Sequence, residues 1–316
     1  MRYGLAATES QAASVQLQFD RARQALTLDV VQAYYGALLQ QQGIAVAEEG
    51  LRRAEIQQRL AQTRFDAGSA ARLDVVRAEV EVANAKAILI RARSASATAL
   101  QALRAVMSLD DPAPLSLTGS LDEETSVPGR DELVAGLQQR ADIKALSAQR
   151  ESAVQMRKLA GADLKPTVAF TGSLQYQQDG LTQFWNGDNR SFQAGLAIRM
   201  PLFSAPKVAA QKAAATAREQ QAAHAINATL DSARLELTTA VEELASAREI
   251  VEVQRKAVEL ARESLSIAEV SYENGVITSS ELNDARVSLM QTEWALAQAK
   301  YGVIVAGART KFAAGL

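Results

Sequence analysis

The sequence predicts a mainly α chain: two copies of a long antiparallel coiled-coil hairpin, with a pair of β-strands between them. Three observations carry this. First, the chain repeats itself at an offset of 207 residues. Gly275 stands to its surroundings as Gly68 does, and Ala33, Leu51, Asp74, Val75 and Ala78 fall on Ala240, Val258, Glu281, Leu282 and Ala285. A repeat of this kind has to be recognised before any single element is interpreted. Second, apolar residues recur every seven positions along the long proline-free stretches, the spacing of supercoiled helices. Third, two segments between the copies alternate apolar and polar residues, as a two-faced sheet does.

Composition narrows the function classes. The chain has 316 residues, only 5% aromatics and a net charge of −2. Ala, Gln, Glu and Arg dominate, as in long helices. No Lys/Arg block is present, so nucleic acid is not an expected partner. The absence of cysteine excludes disulfides and thiolate metal sites. No run of about 18 apolar residues exists, so no transmembrane helix is expected. His224 is the single histidine. It sits in a polar, Ala-rich stretch and reads as a surface residue, because zinc and acid–base sites need partners. No Ser/His/Asp set is available, and Gly172, Gly180, Gly187 and Gly195 are too dispersed for a phosphate loop. Neither an enzyme nor a cofactor is expected.

The first helix is expected from about Leu5 to Phe65. Its seam is Ala37, Ile44, Leu51, Gln58 and Phe65, interleaved with Gln40, Ala47, Ala54 and Ala61. Alanine at alternate seam positions lets neighbouring backbones approach closely. Phe65 to Ala71 is a turn, with Gly68 suited to the left-handed conformation that ends a helix. The second helix starts near Arg72 with Val75, Val82, Leu89, Ser96 and Leu103 over Ala78, Ala85, Ala92 and Ala99, and stops near Ser108, ahead of Pro112 and Pro114. Leu115 to Val127 is irregular, with a short strand expected at Leu115–Thr118. Acids in the first turn at Asp131 and Glu132 mark a third helix, expected to run to about Leu164. Tyr34 and Tyr35 read as packing residues.

The strands follow. In Thr167–Gln178 the apolar side is Val168, Phe170, Leu174 and Tyr176; in Ser191–Phe203 it is Phe192, Ala194, Leu196, Ile198, Met200 and Leu202. Each strand is about 10 residues long, enough to cross a bilayer when tilted. The polar stretch from Asp179 to Arg190 joins them. Ala205 to Tyr272 is one helix about 100 Å long, with the seam Leu244, Val251, Val258, Leu265 and Tyr272. After the Tyr272–Gly275 turn, the last helix carries Leu282, Leu289, Leu296 and Val303 over Ala285, Thr292, Ala299 and Ala306, to about Ala313. The two shorter helices of the first copy together match this long helix in length and could stack end to end beside it. Met1 maps onto Val208, inside the long helix of the second copy, so a further helix and strands are expected to precede Met1 in a complete protein.

The organisation is therefore a first hairpin repeat at 1–108, a linker at 109–129, a helix at 130–166, a β-hairpin at 167–204 and a second hairpin repeat at 205–316. The candidate site lies at the tips, where Asp74, Glu281 and Asp284 stand close behind the turns Phe65–Gly68 and Tyr272–Gly275. Lying within one or two helical turns of the tips, they also suit a helix N-terminus. Arg64, Arg72 and Arg77 are near enough to pair with them, or could simply be solvated.

Duplicated hairpins, an aromatic-x-x-Gly turn followed by an acid and an Ala-rich helix, and a strand pair ending in Pro201-Leu202-Phe203 resemble the TolC-like outer-membrane efflux protein family. The resemblance implies a homotrimer in the outer membrane, extending into the periplasm. Each protomer would give four strands to a transmembrane β-barrel and its long helices to a periplasmic α-barrel tunnel. The partners implied are a periplasmic adaptor protein, an inner-membrane transporter and outer-membrane lipid. On this basis Val168, Phe170, Phe192, Leu196 and Ile198 would face lipid, and Ser173, Gln175, Gln193 and Arg199 the lumen. Asp179–Arg190 would be an extracellular loop, and Pro112–Pro128 part of an equatorial belt. Glu281 and Asp284 would occupy the pore-constricting positions, with Asp74 in the gating network. Where the family's best-known member has an Arg two residues after the turn glycine, this chain has Ile277. Two strands per chain, times three chains, would not close the expected barrel. The function implied is a passive exit duct of a tripartite efflux or secretion system. The rival reading is a periplasmic adaptor or structural coiled-coil protein without a pore, which leaves the amphipathic strands unexplained.

Overall fold

A computed structural model of the chain describes residues 2–109, 115–123, 126–162, 165–176, 190–200 and 205–316. The elements are α1 (Arg2–Asp66), α2 (Arg72–Val106), α3 (Arg130–Leu137), α4 (Ala141–Ala162), β1 (Thr167–Tyr176), β2 (Arg190–Arg199), α5 (Ala205–Glu273) and α6 (Ser279–Ala314). They fall into two compact units. A ribbon unit comprises 1–18 and 142–229, and a hairpin unit comprises 19–141 and 230–316. The 179–189 stretch, Pro112, Pro114 and Pro201-Leu202-Phe203 lie outside the described residues.

In the hairpin unit, α1 with α2 makes one hairpin and α5 with α6 the other. The seven-residue seam of α2 is buried throughout: Val75, Val82, Leu89, Ser96 and Leu103, with Ala78 between the first two. In the second hairpin Val258, Ala261 and Leu265 of α5 pack with Leu282 and Leu289 of α6. Ala268, Tyr272, Ile277, Ala285 and Leu296 stand around them. The corresponding cluster in the first hairpin is Ala61, Val75 and Ala78 with Phe65.

The buried face of α6 shifts partly off the expected seam in its second half, although Leu296 still packs on the core and Ala306 is buried. Leu296 and Val303 are half-buried, while Ala297 and Ile304 are buried. A straight α-helix drifts by about 20° per heptad against a strict seven-residue repeat. Toward its C-terminal end α6 also packs on α1: Trp294 lies over Gly43 and Tyr301 over Gly36. Gly43 has no room for a side chain, since a Cβ there would stand 2.9 Å from the Trp294 ring.

Two further expectations are corrected. The helix expected from 130 to 164 is broken between Leu137 and Ala141. The break places Arg140, buried, against the end of α6. Its guanidinium donates to the Ala313 carbonyl (2.7 Å) and pairs with Glu236 (2.7 Å). Terminal helix carbonyls lack intrahelical partners and favour a cation. Arg21 serves the same helix end, donating to the Phe312 carbonyl at 2.9 Å and lying over its ring.

Leu115–Thr118 is not a strand. Side chains hold the linker instead: the Tyr34 hydroxyl donates to the Thr118 carbonyl, the Tyr35 hydroxyl to Glu123 Oε2 (2.7 Å), and Lys300 pairs with Asp122. The two tyrosines are tethers, which sequence spacing alone did not suggest.

In the ribbon unit, β1 and β2 pair antiparallel with Thr167 opposite Arg199, Phe170 opposite Leu196 and Leu174 opposite Phe192. Ala7, Ser14, Val208 and Ala215 are buried among the helical segments of this unit, and Arg157 pairs with Glu219 at 2.7 Å. No described helix is long and apolar enough to cross a membrane.

Candidate functional site

The two hairpin tips are built alike, bond for bond. In the first, the Gly68 N–H donates to the Phe65 carbonyl (2.9 Å) and the Ser69 N–H to Arg64 (2.8 Å). In the second, the Gly275 N–H donates to Tyr272 (3.0 Å) and the Val276 N–H to Ser271 (2.9 Å). This pair of bonds is the Schellman termination, and it needs a left-handed residue. Gly68 and Gly275 supply it, at φ +75° and +74°.

The returning helices are capped alike as well. The Ala71 N–H donates to Asp74 Oδ2 at 3.3 Å. In the second tip the Thr278 N–H donates to Glu281 Oε2 (2.7 Å), the Thr278 hydroxyl to the same oxygen (2.9 Å), and the Glu281 N–H back to that hydroxyl (3.3 Å). This is a full capping box. These bonds, the backbone one foremost, hold the Glu281 carboxyl below the usual carboxylate range. Glu281 and Asp284 are both exposed, but their situations differ. Glu281 is engaged in the cap. Asp284 accepts no hydrogen bond and forms no ion pair among the described residues, so its carboxylate faces solvent.

The nearby arginines do not pair with these acids. Arg64 lies over the Tyr272 ring, 5.0 Å from its centroid, and so links the two tips; Arg72 lies 5.9 Å from the Phe65 centroid. Ile277 packs into the core of the second hairpin.

Sequence reasoning missed a buried polar cluster behind the tips. Arg286 Nη2 donates to Gln57 Oε1 at 3.4 Å and stands 3.8 Å from Glu269. Glu81 faces it across a cavity of about 160 Å³. Burial pushes the Glu81 carboxyl above its ordinary value, partly countered by the Arg286 charge. The signal was present in Gln57 and Arg286, polar residues beside the apolar seams, but a charge next to a seam is usually solvated.

The second feature stands by itself in the ribbon unit. Val168, Phe170, Leu174, Phe192, Leu196 and Ile198 lie on one face of the two strands, each 65–77% exposed. Single exposed apolar residues need no explanation, but a contiguous row of six does. A two-stranded ribbon also leaves two unpaired edges and is marginal alone. His224 is exposed, as expected. Among the described residues no group of three or more His, Asp or Glu is placed to hold a metal.

Comparison with known proteins bears on the family and the fold. The profile of the outer membrane efflux protein family matches residues 1–108 and 133–316. Protein CyaE of Bordetella pertussis is 30% identical over 242 residues, which cover 72% of this chain and 49% of that protein. The alkaline protease secretion protein AprF of Pseudomonas aeruginosa is 25% identical over 307 residues, covering 95% of this chain and 63% of its own length. The chain thus spans about half to just under two thirds of these relatives. The open-state structure of the MtrE outer membrane channel of Neisseria gonorrhoeae superposes with a TM-score of 0.81 at 21% identity, covering 99% of this chain and 71% of that one. The match along nearly all of the sequence, and the likeness in fold, show that the chain belongs to the outer membrane efflux protein family.

Proposed function

We propose that this chain is a protomer of an outer-membrane exit duct of a tripartite efflux or secretion system. The observation that carries the reading is the exposed apolar ribbon. A chain with no described helix long and apolar enough to cross a membrane carries two paired strands of 10 residues with six large, exposed apolar side chains on one face. Only helices and closed barrels satisfy every backbone group within lipid. The ribbon therefore belongs in a barrel with further strands, with Val168, Phe170, Phe192, Leu196 and Ile198 toward lipid. A homotrimer is the assembly that family resemblance favours, with an adaptor and an inner-membrane transporter as partners. AprF is by its name a secretion protein, which supports a transport role. The duct would be a passive conduit without enzymatic activity, energised by the inner-membrane partner.

The hairpin tips, with Phe65, Gly68, Tyr272 and Gly275 shaping the turns, would close the periplasmic end. Asp74, Glu281 and Asp284 would set the charge there. Rings of carboxylates favour cations. Because Glu281 also caps α6, Asp284→Asn is the cleaner perturbation. In planar-bilayer recordings of the complete protein, it is expected to reduce the preference for cations, and Glu281→Ala with Asp284→Ala to reduce it further. Unchanged selectivity in both variants would remove the gate assignment. Fractionation tests the reading as a whole: a heat-modifiable trimer in the outer membrane supports the duct, and a soluble periplasmic product supports an adaptor or scaffold.

A further inference from the structure

Arg286 projects from α6 into the space between the two hairpins, with its side chain 15% exposed. Among the described residues only its Nη2 has partners, Gln57 of α1 and Glu269 of α5; Nε and Nη1 are buried with no acceptor among them. Across the cavity stands Glu81 of α2, half-buried, with no hydrogen bond and no ion pair among the described residues. The other charges around this space are accounted for. From α1, Arg53 and Arg52 pair with Glu49 at 2.8 and 2.7 Å. From α6, Glu293 pairs with Arg262 at 3.0 Å. From α5, Glu269 and the Tyr272 phenol face Arg286. Among the described residues around this cavity, Glu81 alone is a carboxylate drawn out of water with nothing donating to it.

We propose that Glu81 and Arg286 form a proton-sensitive latch between the two hairpins, one that tightens when Glu81 takes up a proton. With the hairpins apart, Glu81 is hydrated and ionises normally. With them packed, an ionised Glu81 is desolvated and faces the guanidinium only across the cavity. Desolvation disfavours the charged form, so packing and protonation promote each other. The sign follows by linkage. The packed state holds the Glu81 proton more tightly than the separated state, since burial raises its pKa. Packing is therefore strengthened as pH falls through the carboxylate range and weakened as pH rises. Arg286 moderates the effect, because its charge makes ionised Glu81 tolerable. Removing that charge should move the transition to higher pH. The latch concerns how the hairpins pack, whatever they enclose.

The chain has no cysteine, which makes site-directed spin labelling direct. Ala67→Cys and Ser280→Cys place one label on each tip at exposed positions. Labelled chains diluted with unlabelled ones report distances within a single chain by pulsed EPR. Between about pH 7.5 and about pH 4.5, a window above the ordinary carboxylate values in which a raised Glu81 takes up its proton, the tip-to-tip distribution is expected to narrow as pH falls. Glu81→Gln, which cannot ionise, should lose this response and stay narrow throughout. Arg286→Met should shift the midpoint upward, and Glu269→Gln should keep a midpoint. The proposal is overturned if Glu81→Gln responds to pH as the parent does, if Arg286→Met leaves the midpoint in place or lowers it, or if Glu269→Gln abolishes the response. Circular dichroism checks that each variant keeps its helices. Should Glu81→Gln lose them, Glu81→Met is the second non-ionising variant, judged by the same outcomes.

Discussion

Replacing Gly275 by alanine isolates the cost of the tip turn. Gly275 has φ +74°, and a Cβ built there meets nothing within 4 Å. No steric clash contributes, so the whole effect is conformational. An L-residue in the left-handed region costs roughly 1–2 kcal/mol. Alanine also restricts the unfolded chain, which offsets about 0.4–1 kcal/mol. The net expectation is about 1 kcal/mol of tip destabilisation, or about fivefold in the opening equilibrium. The loss should be local, because the Gly275 and Val276 amides are the donors that tie off α5. Native-state hydrogen exchange over the peptide around 270–280 should therefore speed up by about that factor, with the peptide around 63–73 unchanged. Gly68→Ala should give the mirror result, since its φ of +75° and open surroundings are the same. Asparagine tolerates the left-handed region better than alanine, so Gly275→Asn should recover part of the protection. If Asn is as damaging as Ala, or if Ala leaves exchange untouched, the turn is not held by the left-handed glycine and the argument fails.

Other perturbations reach the core, the linker and the helix ends. Leu282→Ala removes a side chain only 2% exposed in the core of the second hairpin, and should cost about 2–5 kcal/mol in denaturant titration; Ser280→Ala, at an exposed position on the other side of the helix, should cost almost nothing. Gly136→Ala would put a Cβ 2.5 Å from the Ala314 carbonyl oxygen, so loss of about 1–3 kcal/mol from overpacking is expected, seen as faster proteolysis of the α6 end. Tyr35 should titrate late in ultraviolet absorbance. Its hydrogen bond to Glu123, with burial and the Glu123 charge, pushes its pKa up to about 12. The tether's contribution is then fully present below the ordinary tyrosine pKa of 10.0 and is lost as pH rises through about 12; Tyr35→Phe should abolish that late step.

The fold was legible because its main devices repeat. The 207-residue offset fixes both turns, and the match extends to details that no propensity scale reports. Asp74 and Glu281 both reach back to the backbone N–H three residues earlier, and Gly68 and Gly275 share one φ within a degree. The α2 seam was readable since five heptad positions point one way into one partner. The α6 seam was readable only in its first half, because farther along that helix packs on α1 as well as α5, and a second neighbour moves the buried face off any single stripe. The break at Leu137–Ala141 was also hidden. Nothing between Gln138 and Arg140 forbids a helix; the reason for stopping lies at the far end of the chain, in the unpaired carbonyls of α6 that Arg140 reaches.

The tip carboxylates show why a site is harder to read than a fold. An acid in the first turn of a helix satisfies the cap whether or not it also faces a pore, so sequence position cannot separate the two roles. Geometry separates them in part. Glu281 gives an oxygen to the Thr278 N–H and hydroxyl, and its low pKa follows from those bonds alone. A capping function thus accounts for everything observed at Glu281. Asp284, one turn further along α6, makes no such bond and gains nothing from the helix N-terminus that Glu281 does not already supply. If a charge at these tips acts on passing ions, Asp284 is free to do so without disturbing the fold, and the selectivity change should follow Asp284→Asn more closely than Glu281→Gln.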